Sequence, residues 1–189
     1  MPFRSRAWPL SRAALVLAAL TTISCAERKT QEVTTTRQPT EADLVARGEY
    51  LVRAFGCADC HTPGTFYGSA DPKRLLSGSE LGWRGWWGTV YARNLTPDTT
   101  TGIGLWTEQD IVNAIHQGRR ANGTPLHPPM RWTNLVWLHE EDAYAIAKYL
   151  KTIPPIVHQV PDRLPPGATP KGAFLNLPPP SAWDAPRTK

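Results

Sequence analysis

Residues 62–106 form a long stretch, rich in glycine and tryptophan, that carries neither helical nor strand periodicity. A compact domain rarely holds so long a segment without something to order it. Readable helices flank it on both sides, so the chain needs an ordering element beyond its own secondary structure. A large cofactor would serve. Apolar content of 41% suffices for a packed core, which excludes global disorder, and 189 residues suit one domain with extensions. Three cysteines exclude a disulfide-dense scaffold.

The flanking helices are legible from local chemistry. Thr40, with Asp43 three residues on, resembles a capping box, and Leu44, Leu51 and Phe55 then share one helical face. Gly48 sits inside this helix, where glycine needs a reason such as the close approach of another element. A second helix opens at Thr107, with Asp110 three residues on, buries Ile111, Val112 and Ile115, and stops at Gly118. His116 lies on it and reads as surface. A third helix runs from about His139 to Thr152, with acids in its first turn and lysines in its last, as the helix dipole favours. Pro154 and Pro155 end it, and no convincing alternating strand appears anywhere.

The two ends read differently from the middle. Arg4, Arg6 and Arg12 precede a short apolar run from Ala13 to Leu20, the pattern of a secretory signal over residues 1–24. Thr22-Ile23-Ser24-Cys25 resembles a lipoprotein box, which would make Cys25 a lipidated first residue; the alternative is ordinary cleavage after Ala26. Residues 25–39 are polar, threonine-rich and aperiodic, like a flexible tether, which favours the lipid. Residues 154–189 hold ten prolines and read as an extended tail, either wrapped on the domain or loose on its surface.

The chemistry is concentrated in Cys57-Ala58-Asp59-Cys60-His61, a c-type haem attachment signature. Its two cysteines lie about one helical turn apart, so both thiols can reach the vinyl groups of one porphyrin, and His61 follows as a ligand for iron. A zinc site would need a second pair of ligands, and a thioredoxin-like pair would need a βαβ context; neither is present in the pattern. The other face of the iron points to Met130, braced by Pro125, Pro128 and Pro129. His127 is the rival ligand and would lower the potential.

Tyr50-Leu51 through His61-Thr62, then Asn94-Leu95-Thr96-Pro97-Asp98, Thr101-Gly102-Ile103-Gly104-Leu105-Trp106 and Pro129-Met130, resemble a class I c-type cytochrome. The likeness covers about residues 40–155 and is to the cytochrome domains of bacterial membrane-bound alcohol and gluconate dehydrogenases. It implies an all-α fold, a small cytochrome c with long haem-wrapping loops and a proline-rich extended tail over 156–189. It also implies a crossing of the first and last helices, with Gly48 against Tyr144 or Tyr149. The single CxxCH implies one covalent haem c, held by Cys57 and Cys60 with His61 and Met130 as axial ligands. Asn94 and Trp106 are candidates to hydrogen-bond the haem propionates or the ligand loop.

The expected role is electron carriage rather than catalysis. The chain would pass single electrons from a periplasmic or membrane dehydrogenase towards a terminal oxidase or another cytochrome. It would act on the periplasmic side of a bacterial membrane, lipid-anchored through Cys25 or else soluble. The rivals are a peroxidase-like haem enzyme and a haem-based redox or gas sensor. The formal charge of +5 invites a nucleic-acid partner, but the segment before Cys25 takes three arginines and no acids with it. The remainder carries 18 basic and 16 acidic residues, which removes the main support for that reading.

Overall fold

A computed structural model describes residues 37–179. The expected signal segment, Cys25 and most of the tether lie outside these residues.

Helix α1 (Glu41–Ala54) starts where the capping box places it. The Thr40 hydroxyl accepts from the Asp43 amide at 3.2 Å, and the Asp43 carboxylate accepts from the Thr40 amide at 2.8 Å. The short helix α2 (Cys57–His61) follows after Gly56, whose φ of 63° turns the chain through the left-handed region. Helix α3 (Glu108–Gln117) repeats the capping device with Thr107 and Asp110 and ends at Gly118, also left-handed. Helix α4 (Trp132–Leu135) is a single turn, and α5 (Glu140–Thr152) closes the helical part.

Three faces meet in one core. Leu51 and Val52 of α1, Ile111, Val112 and Ile115 of α3, and Ala143, Ala145, Ile146, Ala147 and Leu150 of α5 are buried together with Leu76 and Ile103. The α1–α5 crossing is close because Gly48 lets it be: a Cβ there would lie 1.9 Å from the Ala145 carbonyl oxygen and 2.8 Å from the Tyr149 Cβ. The glycine's aromatic neighbour is therefore Tyr149. Two ion pairs fasten the same helices, Arg47 forked onto Asp142 and Lys148 on Glu41, the latter 2.9 Å apart.

The expectation of an all-α fold needs correction. Strands β1 (Gly82–Gly85) and β2 (Gly88–Tyr91) form an antiparallel hairpin around Trp86 and Trp87, and β3 (Phe174–Asn176) pairs parallel to β1. The sheet order is β2-β1-β3. These strands are too short and too rich in glycine to show the alternation that marks a strand in sequence. Five helices and a three-stranded sheet make up the fold of the described residues.

The proline-rich segment is strapped down along the loops. Ile156 donates to the Thr96 hydroxyl, His158 to the Thr101 hydroxyl, Leu164 exchanges two backbone hydrogen bonds with Thr89, and Leu177 donates to Arg84. Val160 is buried against this surface. His158 adds a side-chain tie: Nε2 lies 2.8 Å from the Glu80 carboxylate and Nδ1 lies 2.8 Å from the Ser77 carbonyl.

Candidate functional site

The left-handed turn at Gly56 aims α2 away from α1 and sets Cys57, Cys60 and His61 on one short helix. Both cysteines are unpaired and half-buried, Cys57 against the core. Burial pushes the Cys57 thiol up to about 11, and burial with Asp59 nearby raises Cys60 as well. Both sulfurs therefore stay protonated at neutral pH. A disulfide-exchange pair needs the opposite, a thiol pulled towards thiolate.

His61 is oriented by its own backbone neighbourhood. Its Nδ1 lies 2.6 Å from the Arg93 carbonyl oxygen, an acceptor, so Nδ1 carries the proton and donates it there. Nε2 is left as a bare lone pair. Burial favours the neutral ring, against the opposing pull of the Arg93 carbonyl. A neutral imidazole with one nitrogen donating to a carbonyl and the other free is the form in which histidine binds metals. The surrounding chain is fastened: Gly78 donates to the His61 carbonyl at 2.8 Å, and the Thr62 hydroxyl accepts from the Leu76 amide at 3.0 Å. Leu76 is buried with a φ of 58°, left-handed for a residue with a side chain, so that hydrogen bond secures a strained link.

Met130 lies on the segment between α3 and α4. Leu126 donates to the Gly118 carbonyl at 2.7 Å, and Met130 donates to the His127 carbonyl at 3.1 Å. The Met130 side chain is 37% exposed, so it is not core filler. His127 is half-buried on the same segment, and burial with Arg163 and Arg120 nearby lowers its pKa.

Asn94 spends its polar groups on neighbouring loop and strap residues. It is buried, its amide donates to the Thr101 hydroxyl and the Ile156 carbonyl, and its oxygen accepts from the Thr96 amide and hydroxyl. All of its hydrogen-bonding capacity is spent within the protein. Its job is to tie the loop to the strap. Trp106 packs against the core, and its carbonyl accepts from Lys151 Nζ at 2.9 Å; the same ammonium reaches the Gly104 carbonyl at 2.7 Å. Asp98 organises the turn between them. The Thr101 hydroxyl and amide, with the Thr100 hydroxyl, hold its carboxyl down at about 2.

His116 also differs from expectation: it is half-buried, and its Nε2 is buried without a hydrogen-bond partner among the described residues. It stands one turn beyond Val112 on the buried face, which explains its position. The residue missed from sequence is Arg93. Arg93 acts through its carbonyl, which no side-chain pattern announces. No three His, Cys, Asp or Glu side chains converge as a metal cluster among the described residues. None of the described helices is long and apolar enough to cross a membrane.

No family model matches the chain. It is similar to individual proteins, however. The gluconate 2-dehydrogenase cytochrome c subunit of Pantoea cypripedii is 36% identical over 106 residues, 56% of this chain and 22% of that one. The cytochrome c subunit of the quinone alcohol dehydrogenase of Gluconobacter oxydans is 31% identical over 123 residues, 65% of this chain and 24% of that one. A diheme cytochrome c-type protein of Cereibacter sphaeroides is 32% identical over 110 residues, 58% of this chain and 36% of that one. The chain thus spans about a quarter to a third of the length of these curated relatives. The Cys57–His61 motif, the free Nε2 of His61 and these similarities together identify a cytochrome c domain like those of the cytochrome subunits of bacterial dehydrogenases.

Proposed function

We propose that the chain holds one haem c and carries single electrons between redox partners, from a periplasmic or membrane dehydrogenase towards a respiratory acceptor. It is an electron-transfer protein, not a catalytic subunit. The observation that supports this best is the 2.6 Å contact between His61 Nδ1 and the Arg93 carbonyl, which leaves Nε2 free to ligate iron. Bound haem supplies one-electron exchange at iron.

The chain's own residues supply the rest. Cys57 and Cys60, held as thiols, would fasten the haem through thioethers. The Arg93 carbonyl keeps the His61 ring in one tautomer and one orientation. Met130, exposed on its proline-braced segment, would supply the second ligand to iron, which suits a raised potential. The chain acts on the periplasmic side of the membrane, anchored through a lipid on Cys25, and nucleic acid is not a partner.

The test is expression with a haem-attachment system, followed by mass spectrometry and optical spectra. We expect a mass increase of one haem and a long-wavelength sulfur–iron band in the oxidised protein. Met130→Ala should abolish that band while the haem stays attached. An unchanged spectrum in the variant would overturn the ligand assignment, and a chain without covalent haem would overturn the reading as a whole.

A further inference from the structure

The His158 side chain, on the strap, is 12% exposed and held between two acceptors. Its Nδ1 lies 2.8 Å from the Ser77 carbonyl oxygen, and its Nε2 lies 2.8 Å from the Glu80 carboxylate. A carbonyl and a carboxylate only accept, so each ring nitrogen must bring a proton. The Ser77 hydroxyl does not supply one to Nδ1: it lies 3.3 Å away but donates to the Arg74 carbonyl at 2.9 Å. The ring that satisfies both contacts is the imidazolium. This is the reverse of His61, whose single carbonyl partner leaves one nitrogen bare.

The charges around the ring agree. Glu80 also accepts from Arg74 Nη1 at 2.9 Å, and Arg74 Nε pairs with Asp71 at 2.9 Å. Asp71, Arg74 and Glu80 together carry one negative charge, which a protonated His158 cancels. Burial opposes ionisation of Glu80, yet its own amide, His158 and Arg74 hold its carboxyl below the usual range. On the side of the turn ahead of Trp106, the Thr101 hydroxyl accepts from the His158 amide at 3.0 Å and donates to the Asp98 carboxylate at 2.7 Å. Asp98 thus adds negative charge there as well.

The Ser77 carbonyl is half of a peptide group whose other half faces His61. The Ser77 carbonyl and the Gly78 amide share one plane, and that amide donates to the His61 carbonyl at 2.8 Å. One peptide therefore joins the two histidines, accepting from the ring of the first and donating to the backbone of the second. The strap also lies directly on this peptide: a Cβ on Gly78 would sit 2.4 Å from Val160 Cγ2. A charged donor on a carbonyl polarises the amide behind it and strengthens the hydrogen bond which that amide gives.

We propose that His158 is a positioning residue for His61, acting as an imidazolium through the Ser77–Gly78 peptide, and that its protonation is thereby coupled to the oxidation state of the iron. This rests on the haem reading above and extends it to a residue on the strap. The reduced site is one unit less positive than the oxidised one and tolerates the His158 cation better. Such coupling is reciprocal, so the reduced protein holds the His158 proton more tightly. The midpoint potential then falls as pH rises through the range in which histidine changes charge, about 5 to 8. Within that range each reduction brings one electron from the redox partner and a fraction of a proton from solvent to the ring.

The test uses the full chain with haem attached, verified first by mass; failure of attachment counts against the haem reading and not against this one. Redox midpoints are measured from pH ~5 to ~9 for the parent chain, His158→Gln and Glu80→Gln. Glutamine at position 158 keeps a donor for the Ser77 carbonyl but cannot titrate. We expect the parent midpoint to fall by on the order of 30 mV, about a threefold difference in proton affinity between the two oxidation states. That fall should vanish in His158→Gln. In Glu80→Gln, which removes the carboxylate partner, it should persist at lower pH. In the reduced protein, the amide proton resonance of Gly78 should titrate together with the ring protons of His158. A pH profile of His158→Gln identical to that of the parent would overturn the proposal. So would a Gly78 amide that does not follow the ring, which would break the relay through the peptide.

Discussion

Replacing Gly48 by alanine sets two forces against each other. Intrinsic propensity favours alanine in a helix by up to about 1 kcal/mol, so an isolated α1 would gain. In the folded protein the new Cβ would sit 1.9 Å from the Ala145 carbonyl oxygen and 2.6 Å from its carbon. Both atoms are backbone and cannot rotate away. Ordinary contact begins near 3.4 Å, so α1 and α5 must part by about 1.5 Å. Ala143, Ala145 and Ala147 are fully buried, which leaves no slack at this interface. Overpacking of this kind costs about 1–3 kcal/mol, and a gap opened elsewhere along the crossing forfeits dispersion contacts as well. The clash outweighs the propensity gain, for a net loss of about 2 kcal/mol. For a domain of this size that lowers Tm by roughly 6–12 °C. Thermal unfolding of the haem-loaded protein, followed by far-UV circular dichroism, measures it. A Tm equal to or above that of the parent chain would refute the close crossing, because propensity alone predicts a rise.

Two further outcomes follow from single residues. Asp98 is held at about 2 by Thr101 and Thr100, below its unfolded value of 3.8, so it stabilises the folded state above the unfolded pKa. That contribution drains away as pH falls from about 4 towards 2, and Asp98→Asn should flatten the acid limb of a stability-against-pH curve; an unaltered limb would count against the turn's role. Cys25→Ser, followed by fractionation, should release the protein from membranes, and continued membrane association of the variant would remove the lipid anchor.

The features legible in sequence are those whose causes are local. Thr40 with Asp43 and Thr107 with Asp110 announce helix starts within four residues, and both capping boxes form. Gly48 inside a helix signals a close neighbour, and Tyr149 with Ala145 supplies it. The Cys57–His61 motif sits on a single helix of its own. What escaped depends on distant chain. Phe174–Asn176 becomes a strand only because β1 offers an edge, and β1 is itself a four-residue piece with glycine at both ends. The tie from the Asn94 amide to the Ile156 carbonyl spans 62 residues, a partner no local pattern announces.

The strap also bears on the order of events as the chain is made. Asn94, Thr96 and Thr101 form the turn ahead of Trp106, yet their partners Ile156 and His158 lie 57 to 62 residues further on. A chain emerging from its N-terminus displays the haem-attachment motif and this turn well before the segment that locks the turn exists. Contacts of such long sequence separation close late and slowly. In the nascent domain that turn therefore stays without its locking partners until the segment carrying Ile156 and His158 has been made.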